Sequence, residues 1–142
     1  MKRRCAVVLL AVLLFVVWGS AQGYAAQARA SEEIMSYYAT ISKNNQGQLS
    51  IYFSIKCRTN MNVLGTTSIV VQRFNGTSWV SEYTFNIRDY PKMQTNNKSS
   101  YSATMLYSPR YSGTQYRAMV FFYARNSAGS DPAVKTTNSV AM

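Results

Sequence analysis

The 142-residue sequence contains no histidine, two cysteines, three prolines and only five acidic side chains. Without histidine, the commonest general base and zinc ligand are missing, and so is the partner that activates serine or cysteine nucleophiles. Catalytic triads of the usual kinds are thereby excluded. The carboxylates, Glu32, Glu33, Glu82, Asp89 and Asp131, are scattered along the chain and form no pair of the sort glycoside hydrolysis uses. No glycine-rich loop suited to cradling phosphate occurs. The sequence therefore predicts no enzyme, no metal site and no cofactor.

Cysteine is scarce enough to exclude a further class. Cys5 falls in a leader-like segment, so Cys57 is the one thiol of the remaining chain and no internal disulfide can form. Secreted animal domains of this size usually carry bridges, and an exported chain without them fits a bacterial source. Cys57 closes an alternating apolar run, where a free cysteine behaves as a small hydrophobe, so its predicted role is structural.

What is present begins with export. Residues 1–4 are basic and residues 6–18 are apolar without interruption, which is the length of a signal h-region and short of the about 20 residues a membrane span needs. Residues 1–28 read as a signal peptide, with small residues placed for cleavage after Ala21 (Gly19, Ala21) or after Ala28 (Ala26, Ala28). Residues 29–142 then form one domain, secreted or associated with the cell wall, with no membrane span after signal removal. Cys5 stands at the start of the apolar run, not at its end, which argues against lipoprotein acylation.

The net charge is +10, and without Lys2, Arg3 and Arg4 about +7 remains, from twelve bases and five acids. Such a charge favours encounter with anionic cell-wall polymers and lipid headgroups, although solubility alone accounts for it equally well. Nucleic acid is the weaker expectation, because export removes the chain from it.

From Ile34 onward the pattern has period two, the signature of half-buried strands. Seven runs stand out, over residues 35–42, 48–57, 67–74, 79–87, 100–107, 115–125 and 133–140. The second places Leu49, Ile51, Phe53, Ile55 and Cys57 on one face and Ser50, Tyr52, Ser54 and Lys56 on the other. The third and fourth flank Asn75-Gly76, a strong hairpin signal that Thr77 and Ser78 lengthen. In the fourth, Trp79, Tyr83, Phe85 and Ile87 are expected to share a face. Residues 88–98 read as a mobile polar loop, and residues 126–132 as a loop that glycine and proline separate from the last strand. Two matches to the glycosylation pattern, at Asn75 and Asn97, read as turn residues. With no helix between strands, the fold class is all-β: a single antiparallel β-sandwich of about seven strands with Greek-key connections.

The last third is more specific. The stretch from Ser112-Gly113-Thr114-Gln115-Tyr116 to Asn126-Ser127-Ala128-Gly129 resembles the end of a fibronectin type III domain: a Gly-Thr corner, a tyrosine-led strand and an Asn-x-x-Gly loop before the final strand. The resemblance covers about a quarter of the residues after the leader, and other immunoglobulin-like sandwiches share the architecture. It implies a structural role for Tyr116, whose hydroxyl would bond to the backbone upstream. The second strand departs from the family in having Tyr52 and Phe53 where fibronectin domains usually have tryptophan. The combination of basic leader and short sandwich also resembles small exported proteins of Gram-positive bacteria.

The candidate binding face lies on the sixth strand. If Tyr116 to Ala124 alternate inward, then Arg117, Met119, Phe121, Tyr123 and Arg125 alternate outward, a row of large apolar groups between arginines, with Arg73 expected to assist. Covering of the row by neighbouring strands, or by a second copy, is the structural alternative. The function this predicts is a non-catalytic binding or adhesion module at or near the bacterial surface. Its partner is an anionic cell-wall polymer, a glycan or a protein. A secreted cationic effector, such as a toxin, antimicrobial or inhibitor, is the alternative, and an unrecognised hydrolase is a third.

Overall fold

The computed structural model describes residues 33–142; the expected signal peptide over residues 1–28, both cleavage positions and Cys5 lie outside the described residues. Two antiparallel sheets carry the described chain. The first consists of β1 (Ile34–Lys43), β2 (Leu49–Met61) and β6 (Lys98–Tyr107) in the order β1-β2-β6. The second consists of β3 (Val63–Phe74), β4 (Trp79–Asn86), β7 (Gln115–Asn126) and β8 (Gly129–Thr136) in the order β4-β3-β7-β8. Two short strands extend its edges: β5 (Gln94–Thr95) pairs with β3 and β9 (Val140–Ala141) with β7.

Alternation builds the core. Leu49, Ile51, Phe53, Ile55 and Cys57 of β2 and Tyr116, Ala118, Val120, Phe122 and Ala124 of β7 are all buried, because every second side chain of a strand leaves the same face. The two sheets meet where Phe53 packs edge-on against Phe122, with ring centroids 6.3 Å apart. The β3–β4 hairpin forms as the Asn75-Gly76 dipeptide predicts, with a four-residue loop. Asn75 Oδ1 accepts from the backbone N–H of Thr77 and of Ser78, both at 2.9 Å.

Four expectations are corrected. First, Trp79 does not share a face with Tyr83 and Phe85. Val71 pairs with Tyr83 but Gln72 pairs with Ser81, so Glu82 is an extra residue in β4. A bulge of this kind reverses the alternation beyond it. Phe85 therefore points into the core, while Trp79 packs on Phe74 and Arg117 on the outer surface.

Second, residues 88–98 are anchored. A 3-10 turn, Pro91–Met93, leads into β5, and Met93 is fully buried in the core. Gly65 of β3 makes room for it: its φ is +150°, and a Cβ there would collide with the Met93 carbonyl oxygen. Third, β8 starts at Gly129, so residues 127 and 128 alone form the turn and Pro132 lies within a strand. Because β8 is an edge, the missing proline N–H removes no ladder bond.

Fourth, β8 stops at Thr136 and does not run on to Val140. Thr137 continues the pairing through its side chain, its Oγ1 accepting from the Ala118 N–H at 2.9 Å. Asn138 then crosses to β1. Its Oδ1 accepts from the Ile41 N–H at 3.2 Å and its Nδ2 donates to the Ile41 carbonyl at 2.9 Å, so one amide stands in for a strand partner between the two sheets.

Candidate binding surface

The strand alternation of β7 puts Arg117, Met119, Phe121, Tyr123 and Arg125 on the outer face of the four-stranded sheet. β7 is an interior strand, flanked by β3 and β8, so the neighbouring side chains shield the row. Arg117 to Tyr123 are half-buried and Arg125 is exposed. Directly opposed pairs complete the surface: Val70 beside Met119, Val134 beside Phe121 and Pro132 beside Tyr123. Val134 is 48% exposed. The row is therefore the centre of a broader apolar strip, with its rim on β8.

One end of the strip is fixed by contacts around Arg117. The guanidinium lies 4.3 Å from the centroid of Trp79, and Nε donates to Gln72 Oε1 at 2.8 Å. Cation–π contact and hydrogen bond together hold a long side chain that would otherwise be free to rotate, so the charge is presented in one place. The bulge at Glu82 makes this possible, because it is what turns Trp79 outward.

Arg73 is not part of this face. Gln72 pairs with Arg117, whereas Arg73 pairs with Tyr116, whose ring is fully buried. With period two, neighbours on β3 leave opposite sides, and Arg73 leaves on the side of the core. There its Nε donates to Glu82 Oε2 at 2.9 Å while its guanidinium covers the Tyr111 ring, 4.3 Å from the centroid.

Glu82 is the hub of a polar cluster that closes this end of the sandwich. Its Oε1 accepts from the Tyr107 hydroxyl at 2.8 Å and from the Tyr116 hydroxyl at 3.4 Å. Tyr116 Oη shares its one proton between Glu82 and the nearer Tyr111 carbonyl, at 3.2 Å, and accepts from the Tyr111 N–H at 3.3 Å, a bond to the backbone upstream. Burial, followed by the Glu82 bond and charge, pushes the Tyr107 hydroxyl well above its ordinary range. Burial likewise raises Tyr116. Both phenols therefore stay protonated and act as donors. Sequence reasoning misses Glu82, Tyr107 and Tyr111 as a set, because β4, β6 and the 108–114 connection meet only in three dimensions.

Cys57 is 2% exposed among core residues. Burial, then the charges of Glu33 and Asp131, push its thiol up to about 11, so at neutral pH it is protonated and shielded. Among the described residues no three of Cys, Asp and Glu gather closely enough to hold a metal ion. No helix among them is long and apolar enough to cross a membrane. No protein-family model and no curated protein matches the chain.

Proposed function

We propose that this chain is an exported, non-catalytic binding module of the fibronectin type III or immunoglobulin-like kind, acting at or near a bacterial cell surface. The relation to those sandwiches is supported by a three-stranded sheet facing four long strands. It is also supported by the Tyr116 hydroxyl, which bonds backwards from the start of β7 to the connection that precedes it.

The observation that carries the binding reading is the apolar strip of Val70, Met119, Phe121, Tyr123 and Val134, bounded by Arg117 and Arg125. A contiguous apolar area with cations at its ends is suited to a partner that offers an apolar face and anionic groups at its margin. The basic charge of the chain adds long-range attraction to a polyanionic surface.

Sedimentation with isolated bacterial cell walls across a salt series tests this reading. The purified protein should be retained, and Phe121→Ser/Tyr123→Ser should abolish the salt-resistant part of retention while circular dichroism remains that of the parent. Equal retention of the double variant at every salt concentration would remove the strip from the reading. No retention of either protein would move the assignment to a soluble cationic effector.

A further inference from the structure

The outer face of the three-stranded sheet has a different chemistry from the strip on β7. Its register lines up Ser36 with Lys56 and Ser100, Tyr38 with Ser54 and Ser102, and Thr40 with Tyr52 and Thr104. Three successive cross-strand rows thus carry hydroxyl groups, two of them carry a tyrosine, and the first carries a lysine. An open concavity of about 560 Å³ lies over the first row, over Ser54 and Ser102 of the second and over Tyr52 of the third, with Lys98 also in its lining.

Three features of that concavity select its occupant. Lys56 and Lys98 supply two exposed ammonium groups, no carboxylate is among its lining residues, and the ion pair found among the described residues, Arg73–Glu82, lies elsewhere. The field there is uncompensated and positive. The serine hydroxyls of the lining both donate and accept, matching the hydroxyls of a sugar better than a ligand that only accepts. Tyr52, 38% exposed, offers a face for the C–H side of a pyranose ring, and Tyr38 flanks it outside the concavity with ring centroids 6.4 Å apart. Large aliphatic side chains, which a protein partner would use as anchors, are absent from the lining apart from Ile55, which is itself buried in the core.

We infer that this concavity is a binding site for an anionic polysaccharide: the lysines take its sulfate, phosphate or carboxylate groups, the hydroxyl rows its sugar hydroxyls, and Tyr52 a ring face. The site shares no residue with the strip on β7, so the domain would carry two chemically distinct contact faces on opposite sides.

The test is titration of the purified protein with dextran sulfate at low ionic strength, with neutral dextran and inorganic polyphosphate as comparison ligands. Dextran sulfate should bind at least about tenfold more tightly than neutral dextran, because two paired charges are added in a site with no opposing carboxylate. Lys56→Gln/Lys98→Gln should weaken dextran sulfate about tenfold and flatten its salt dependence. A control pair away from both faces, Arg88→Gln/Lys135→Gln, changes net charge equally and should have little effect. Tyr52→Ala should weaken dextran sulfate several-fold and leave polyphosphate unchanged. Equal losses in the two charge pairs would show attraction to net charge alone and overturn the site, as would failure to bind dextran sulfate. Phe121→Ser/Tyr123→Ser should leave this titration unchanged, so the two faces succeed or fail separately.

Discussion

The two sheets have the same chemistry inside and different chemistry outside. Inward, β2 offers Leu49, Ile51, Phe53 and Ile55, and β7 offers Tyr116, Ala118, Val120 and Phe122, all buried. Outward, β2 carries Ser50, Tyr52, Ser54 and Lys56, while β7 carries Arg117, Met119, Phe121 and Tyr123. The inner sets are alike because both must fill one dry layer between sheets about 10 Å apart. The outer sets are under no such requirement. An interior strand whose outer face is aromatic and apolar departs from the usual alternation of buried apolar with solvated polar residues. The hydroxyl-rich face of β2 follows that rule, and only its lysines and tyrosines mark it. The contrast separates positions that hold the fold from those free to serve recognition.

The strongest way to break the comparison is to disturb a position on which both sheets depend. Gly65 lies in the four-stranded sheet, but its open space is filled by the backbone of Met93, which precedes β5 and β6. Gly65→Ala combines a disfavoured φ with a backbone collision and should cost about 3–5 kcal/mol. If the two sheets are one cooperative unit, thermal unfolding by near- and far-ultraviolet circular dichroism should fall together, with dextran sulfate and cell-wall binding lost at the same temperature. Survival of dextran sulfate binding in a protein that has lost its tertiary signal would show that the sheets melt separately.

The elements most legible in the sequence are those that local rules determine. The alternation of β2 and β7 fixes their buried faces, Asn75-Gly76 announces the hairpin, and Tyr116 follows a corner sequence. The side of Arg73 was also readable, since Ile69, Val71 and Arg73 stand two apart and the first two are core. The bulge at Glu82 was not. It turns the carboxylate to Arg73 across the hairpin and to Tyr107 and Tyr116, both distant in the chain, and no local pattern signals such a meeting. Met93 was hidden for a similar reason: a lone apolar residue between Lys92 and Gln94 reads as loop until Gly65 is seen to accommodate it. Pro132 looked like a strand breaker because edge position is a property of the sheet. The Ser/Tyr/Lys face of β2 was visible as alternation, but its completion by Ser100, Ser102 and Lys98 depends on β6 being its neighbour.

A smaller effect is expected from the tie between the sheets. Glu82 of β4 accepts from Tyr107 of β6 across the sandwich and from Arg73 beside it. Glu82→Ala leaves the Tyr107 hydroxyl and the part-buried Arg73 guanidinium short of an acceptor, which should cost about 2–3 kcal/mol. For a domain of this size that is a loss of roughly 10 °C in Tm. Trp79 depends on the same bulge for its outward position. Removing Glu82's reason to bulge should therefore loosen the Arg117–Trp79 contact, read as a shift in tryptophan fluorescence, and reduce salt-resistant retention while leaving dextran sulfate binding intact. An unchanged Tm would show that the cluster contributes little to joining the sheets.

The smallest of the three effects isolates the three-stranded sheet by pH. Burial chiefly, and then Glu33 and Asp131, push the Cys57 thiol from 9.0 up to about 11. For an acid whose folded value is raised, the unfolded chain loses its proton first. The folded state then holds more protons, and stability falls as pH rises. The contribution is intact below about pH 9 and is lost progressively between pH 9 and 11, by about 2 kcal/mol in all. Urea denaturation at pH 8 and near the upper end of that window measures it. Tyr107 and Tyr116 are raised as well and act with the same sign at higher pH, so the parent is compared with Cys57→Ala, which keeps both phenols. The variant should start less stable at pH 8 because a small core side chain is removed, yet lose less on alkalinisation. Parallel pH profiles would mean that the thiol side of the core admits enough water to ionise Cys57 at its ordinary value, and that the layer beneath the hydroxyl-rich face is less dry than the one beneath the apolar strip.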